Sequence, residues 1–287
     1  MTPMQPGSDR SVPAPARPGG RAELLPRVLS AVVMGAAALA TAVLGGPLFD
    51  LFWWLAAVAV LWEWHGLAGL SRRNPLVLLG GAALAAAALL AGRAEPGHAL
   101  VALALGAGVT ALLAEPGRRG IAAGGPLYAG VLALALPLLR HSQEDGFAAV
   151  AWLFAVVWGT DTMAFFGGRA IGGPKLAPRL SPSKTWSGFL VGVACGGLLG
   201  LLVAPRTGGL AWLLAAGFVG GALAQAGDLF ESTLKRRFGV KDAGSLIPGH
   251  GGVMDRLDGF IAAAVFAAAV GLWRFGPDGA GAGLLKW

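Results

Sequence analysis

Five of the chain's 15 carboxylates, Asp228, Glu231, Asp242, Asp255 and Asp258, fall within 31 residues. The same stretch carries Lys235, Arg236, Arg237, Lys241, His250 and Arg256. Carboxylates beside cations suit a hard divalent metal that bridges phosphate oxygens, with Lys and Arg holding the rest of a polyphosphate. Between the acids runs Pro248-Gly249-His250-Gly251-Gly252, whose glycines allow close backbone approach and offer N–H groups to an anion. Asp255 and Asp258, three apart at an expected helix start, share a face. A zinc site is not indicated, because its Cys and His ligands are missing. A P-loop ATPase is not indicated either, because no Walker A lysine motif occurs.

Asp161 and Asp228 each stand at the end of a long apolar run. A charge at membrane depth is costly and persists where it lines a polar cavity or performs chemistry. Both side chains are too short to snorkel far, and both lead into cation-rich loops. Glu63 and His65, near the end of another run, are expected to be satisfied helix-end polar groups. Glu231 stands between two readings, a helix-surface residue or part of a metal shell, and Arg237 is expected to be an orientation or lipid-surface charge.

The elements that must position these residues follow from composition. Of 287 residues, 55% are hydrophobic and 13% charged, about half the charged share of soluble proteins. A soluble globule is excluded, and the expected fold is an all-α, polytopic integral membrane protein. Nine apolar runs are long enough to cross a bilayer, near 28–44, 47–67, 75–92, 97–114, 121–139, 146–166, 188–204, 209–229 and 259–275. With a cytoplasmic N-terminus, the tail and alternate loops hold 17 of the 22 Lys and Arg, as the positive-inside rule requires. The net charge of +7 is therefore mostly a topology signal, and no nucleic-acid partner is expected. Trp53, Trp54, Trp152, Trp212 and Trp273 are expected near outer membrane borders and Trp62 and Trp64 near an inner one, as an aromatic belt. Gly188, Gly192, Gly196 and Gly200 repeat every fourth residue and predict a close helix–helix seam. Cys195, the one cysteine, is expected to be a small packing residue.

Four segments result: a disordered cytoplasmic tail over 1–27, rich in Pro, Gly, Ala and Arg; membrane helices over 28–145; a membrane domain over 146–275 with two polar cytoplasmic loops; and a C-terminal tail over 276–287. A signal peptide is disfavoured, since the first apolar run starts only behind a long Pro-broken stretch.

The segment from Ser232 to Asp258 resembles the C-terminal signature of the phosphatidate cytidylyltransferase family, the CDP-diacylglycerol synthases. The matching positions are Ser232, Lys235-Arg236, Lys241-Asp242, Pro248-Gly249-His250-Gly251-Gly252 and Asp255-Arg256-x-Asp258. A second block, Asp161 to Arg169 followed by Leu180-Ser181-Pro182-Ser183-Lys184-Thr185-Trp186, is similar to that family's other cytoplasmic block. Phe165 stands where Tyr is common, and Ser187 where a Glu usually follows. The likeness covers roughly residues 150–265, and the first five spans by hydropathy alone.

The resemblance implies conversion of CTP and phosphatidic acid into CDP-diacylglycerol and pyrophosphate in phospholipid biosynthesis, with Mg²⁺ and room for a second cation. By carry-over, Asp228 and Asp255 would hold the metal centre, with Asp258 and Asp161 as further ligands. Lys184, Lys235, Arg236, Lys241, Arg256 and Arg169 would contact triphosphate and lipid phosphate, and Ser181 and Ser232 would hydrogen-bond phosphate oxygens. His250 would contact phosphate or orient Asp255. It receives no proton-transfer role, because the attacking phosphate is already ionised. The resemblance places the enzyme in the cell membrane with its site on the cytoplasmic side. A homodimer is left open. A CTP-dependent polyprenol kinase is the alternative, although the His-Gly-Gly-x-x-Asp-Arg-x-Asp string speaks against it. A transporter would more often show broken helices in both halves, whereas here the polar residues gather in the C-terminal half.

Overall fold

The computed structural model describes residues 24–70, 75–204, 209–247 and 251–286, with side chains from Val28 onward. Among the described residues nine long helices follow one another: α1 Leu24–Leu44, α2 Gly46–Leu67, α3 Pro75–Ala91, α4 Pro96–Leu113, α5 Arg119–Arg140, α6 Gly146–Ile171, α7 Trp186–Val203, α8 Leu210–Arg237 and α9 Met254–Phe275. Seven of them, all but α1 and α3, are long and apolar enough to cross a membrane; Val28–Leu44 and Pro75–Ala91 are apolar but shorter. The protein is an all-α polytopic membrane protein. Most of the tail expected over 1–27 lies outside the described residues, and Leu24 already belongs to α1.

Long-range hydrogen bonds show which helix ends meet. At one end, Arg118 donates to the Ala68 carbonyl at 3.2 Å and also to that of Gly69, joining the α4–α5 and α2–α3 connections. At the other, Arg140 Nε donates to the Ala42 carbonyl at 2.7 Å, and His141 Nε2 lies 2.8 Å from Asp50 Oδ1. α2 and α5 therefore run in opposite directions.

The glycine stripe of α7 forms the expected seam. An added Cβ on Gly188 would stand 2.7 Å from the Ala164 carbonyl, on Gly192 2.7 Å from Ala164 Cβ, on Gly196 2.7 Å from the Val156 carbonyl and on Gly200 2.6 Å from Val156 Cγ2. Glycine alone lets α6 and α7 approach so closely. The seam holds the last turns of α6 against the segment leading into α7. That segment is a two-stranded antiparallel hairpin, β1 Lys175–Ala177 and β2 Ser181–Thr185. Thr185 closes it by accepting the Gly188 N–H at 3.1 Å, an N-cap of α7.

Two parts differ from the sequence expectations. Trp53, Trp64 and Trp152 are buried in the core rather than placed in a belt; the Trp53 ring stacks on Phe260 with centroids 5.2 Å apart. Hydropathy marks such rings as apolar without showing whether they face lipid or protein. Trp273, 79% exposed, keeps the outward position expected of a belt residue. Within 276–287, read as a tail, Ala280–Leu285 form a short buried helix, α10. Its glycines pack against the Gly271 backbone of α9 and against Ser142 and Gly146. Six Gly- and Ala-rich residues give too little periodicity to announce a helix.

Candidate functional site

One cavity of about 1170 Å³ opens where α6, α8, α9 and the hairpin converge. Its polar wall carries Asp161, Asp228, Asp255 and Asp258 together with Arg169, Lys175, Lys184 and Arg256. Its other wall is apolar, with Met34 of α1, Trp53 of α2, Phe154 and Trp158 of α6, and Phe260 of α9. Charge at one end and aromatic and aliphatic surface at the other match an amphiphile with an anionic head.

The two motif blocks meet here. Lys184 at the end of the hairpin lies 2.6 Å from Asp228 Oδ2 on α8 and donates to Gln225 Oε1 at 3.0 Å. Gln225 in turn donates from Nε2 to Asp161 Oδ1 at 3.0 Å. A chain Asp161–Gln225–Lys184–Asp228 thus ties α6, the hairpin and α8 together. Gln225 is buried and was absent from the sequence candidates. The signal was available: a polar side chain in an apolar run, three residues before Asp228 and so on its face. Ser232, one turn after Asp228, lies 3.4 Å from Asp228 Oδ1.

A second cluster sits beside the first. Lys235 Nζ lies 2.6 Å from Glu231 Oε2 and 2.8 Å from Asp255 Oδ1, and all three side chains are nearly or fully buried. Two carboxylates around one ammonium form a charge group whose partial removal would strand a buried ion. Glu231 is thus a buried partner of Lys235 rather than a helix-surface residue, and it does not line the cavity.

The glycine-rich loop also binds anions, and they belong to the protein. Gly252 N–H donates to Asp255 Oδ2 at 2.8 Å, and Ala243 N–H reaches the same carboxylate at 3.1 Å. Val253 and Met254 N–H donate to Glu63 at 3.0 and 2.7 Å, across from α2. Gly251 turns the loop with φ of 85°, a conformation that glycine adopts at least cost. Glu63 and His65 are both fully buried, and His65 Nδ1 lies 2.8 Å from the Leu61 carbonyl.

Other sequence candidates take different places. Arg169 and Arg256 line the cavity, as does Ser183, whereas Ser181 pairs with Ala177 at the hairpin turn. Lys241 and Arg236 are exposed and outside the cavity wall. His250 lies outside the described residues. Phe165, where the resemblance led one to expect Tyr, is exposed on the cavity wall. Ser187, where Glu is usual, donates to the Gly172 carbonyl and so braces the hairpin base.

Among the described residues no three His, Cys, Asp or Glu side chains converge as a metal cage. Magnesium does not need one: it commonly binds through one or two carboxylates, with phosphate oxygens and water completing the shell. Asp161 and Asp228, hard oxygen donors on one cavity wall, fit that mode. Asp255 accepts from Lys235 and two backbone N–H groups, which makes it an organiser of the loop as well as a wall residue.

These features define a membrane enzyme that handles phosphate groups at one end of a helical bundle. Residues 25–273 match the cytidylyltransferase family, and the chain belongs to it. It is 43% identical over 256 residues to a phosphatidate cytidylyltransferase of Brucella abortus, covering 88% of this chain and 94% of that protein. It is similar as well to the phosphatidate cytidylyltransferase of Haemophilus influenzae, 40% identical over 150 residues, 49% of this chain and 51% of that one. The corresponding protein of Rickettsia typhi is 36% identical over 137 residues, 45% of this chain and 60% of that one.

Proposed function

We propose that this protein transfers a cytidylyl group from CTP to phosphatidic acid, releasing pyrophosphate and forming CDP-diacylglycerol. The observation that carries the reading is the cavity itself. Its Lys184–Asp228 pair joins both motif blocks, and its opposite wall is apolar.

In this reading the acyl chains of phosphatidic acid lie along Trp53, Phe154, Trp158 and Phe260, which leaves the phosphate at the charged wall. Arg169, Lys175, Lys184 and Arg256 hold the triphosphate and the lipid phosphate. The lipid phosphate oxygen attacks the α-phosphorus of CTP, the bond from that phosphorus to the bridging oxygen breaks, and pyrophosphate leaves. The chain's task is alignment and charge compensation rather than nucleophilic chemistry. Bound Mg²⁺, held by Asp228 and Asp161 with Asp258 nearby, would neutralise phosphate charge and template the two substrates. Gln225 keeps Lys184 and Asp161 in register, and the apolar wall limits water at the reacting phosphorus.

In this reading the chain crosses the membrane nine times from a cytoplasmic N-terminus, and the charged wall would face the cytoplasm, where CTP is. The cation distribution of the loops supports that orientation. Incubating purified protein with CTP and phosphatidic acid vesicles tests the function: a CDP-lipid must form together with pyrophosphate.

A further inference from the structure

α9 begins at Met254, and its N-cap, Val253, has no side chain able to accept a hydrogen bond. The first N–H groups of a helix have no partner within it. Here the acceptor comes from another helix, the Glu63 carboxylate of α2, whose two oxygens take the Val253 and Met254 N–H groups. The carboxylate is wrapped on its remaining sides. A Cβ on Gly252 would stand 2.6 Å from Glu63 Oε2, and one on Gly244 2.6 Å from Glu63 Cδ. Glycine at both positions therefore lets the backbone approach this one side chain closely.

The first turn of α9 carries Asp255, Arg256 and Asp258, all on the cavity wall. The loop that Glu63 anchors also supplies the two backbone N–H groups that orient Asp255. A fully buried carboxylate from the N-terminal half of the bundle thus sets where three charged residues of the C-terminal half stand. Negative charge at a helix N-terminus is favourable in itself, but a cap built by the α9 sequence would serve that purpose without tying in α2.

We infer that Glu63 is a positioning residue for catalysis: by capping α9 and holding the backbone at Gly244 and at 252–254 it fixes Asp255, Arg256 and Asp258 against the substrates. This inference rests on the cytidylyl-transfer reading. Glu63 is fully buried and does not line the cavity, so its loss should act on turnover more than on substrate affinity.

The test compares wild type with Glu63→Gln and with Gly244→Ala, which leaves Glu63 in place and crowds it. Gln keeps the size of the side chain but turns one acceptor oxygen into a donor facing a backbone N–H. Both variants are expected to lower kcat at least tenfold, with KM for CTP and for phosphatidic acid changed less than threefold. The thermal midpoint should stay within a few degrees of wild type, while amide hydrogen exchange at Val253 and Met254 accelerates. Gly244→Ala decides the matter if Glu63→Gln does not fold. The inference is overturned if folded variant protein keeps kcat within twofold of wild type, or if kcat per folded molecule is unchanged. A wild-type protein that makes no CDP-lipid in the same assay would instead contradict the activity reading.

Discussion

Lys184 Nζ stands 2.6 Å from Asp228 Oδ2, and Gln225, one turn before Asp228 on α8, accepts from the same ammonium. The pair fixes the hairpin before α7 to the last turns of α8, so a cation from one motif block and a carboxylate from the other face one cavity. Lys184→Met removes the charge and keeps most of the length. It should raise the KM for CTP about ten- to a hundredfold, the loss of one charge-assisted contact of roughly 1.5–3 kcal/mol. Lys241→Met, at an exposed position outside the cavity wall, should leave that KM within about twofold. Steady-state kinetics on both variants reads the contrast, and equal effects would show that the cavity wall does not delimit the nucleotide site.

How far this site was legible in the sequence depends on what kind of signal each part leaves. The expected span 209–229 ends at the first charges, yet α8 continues to Arg237, and α9 starts at Met254 rather than near 259. Hydropathy stops where charge begins, whereas a helix continues for as long as its backbone hydrogen bonds do. Asp228, Lys235 and Asp255 therefore sit on helix ends, where spacing of three and four decides which side chains meet. The glycine stripe was legible because a packing seam repeats with the helix period. The Glu63 contact to Met254 joins residues 191 positions apart, and no local pattern can announce it. The hairpin strands are three and five residues long, too short to alternate visibly among so many prolines and lysines.

Asp228→Asn tests the proposed metal centre. The substitution preserves size and removes the charge that a divalent cation requires, and turnover should fall by about two orders of magnitude or more. The protein should still reach the membrane, because the surrounding helices keep their apolar packing. Near-normal turnover would remove Asp228 from the centre.

Gln225→Leu isolates the link between Asp161 and Lys184. Both of its hydrogen bonds reach charged groups, so their loss should weaken the arrangement by roughly 1.5–3 kcal/mol. Activity is expected to fall about tenfold or more, while thermal stability changes little because Leu fills the space. Unchanged kinetics would show that Lys184 and Asp161 hold their places without it.

Gly192→Leu probes the seam of α6 and α7. A Cβ there already stands 2.7 Å from Ala164 Cβ, and overpacking of this kind costs about 1–3 kcal/mol. The thermal midpoint in detergent should drop, and activity should drop with it because the seam carries Asp161 and the hairpin. An unaltered midpoint would mean that the helices tolerate wider spacing.

Orientation is measurable with single cysteines in a Cys195→Ala background. Arg119 begins α5, and Glu95 immediately precedes α4 at the opposite end of the bundle. A membrane-impermeant thiol reagent applied from outside should label a cysteine at Glu95 and spare one at Arg119. The reverse pattern would invert the proposed topology, and labelling of both would contradict the proposed nine crossings.

The position of the label transferred from CTP tests the central claim most directly. Purified protein in phosphatidic acid vesicles is given CTP labelled either at the α-phosphorus or at the γ-phosphorus. Cytidylyl transfer requires that α-label enter the lipid as CDP-diacylglycerol and that γ-label leave as pyrophosphate, with both yields lost in Asp228→Asn. Label entering the lipid from the γ-position, with CDP left in solution, would make the protein a CTP-dependent lipid kinase and contradict the account.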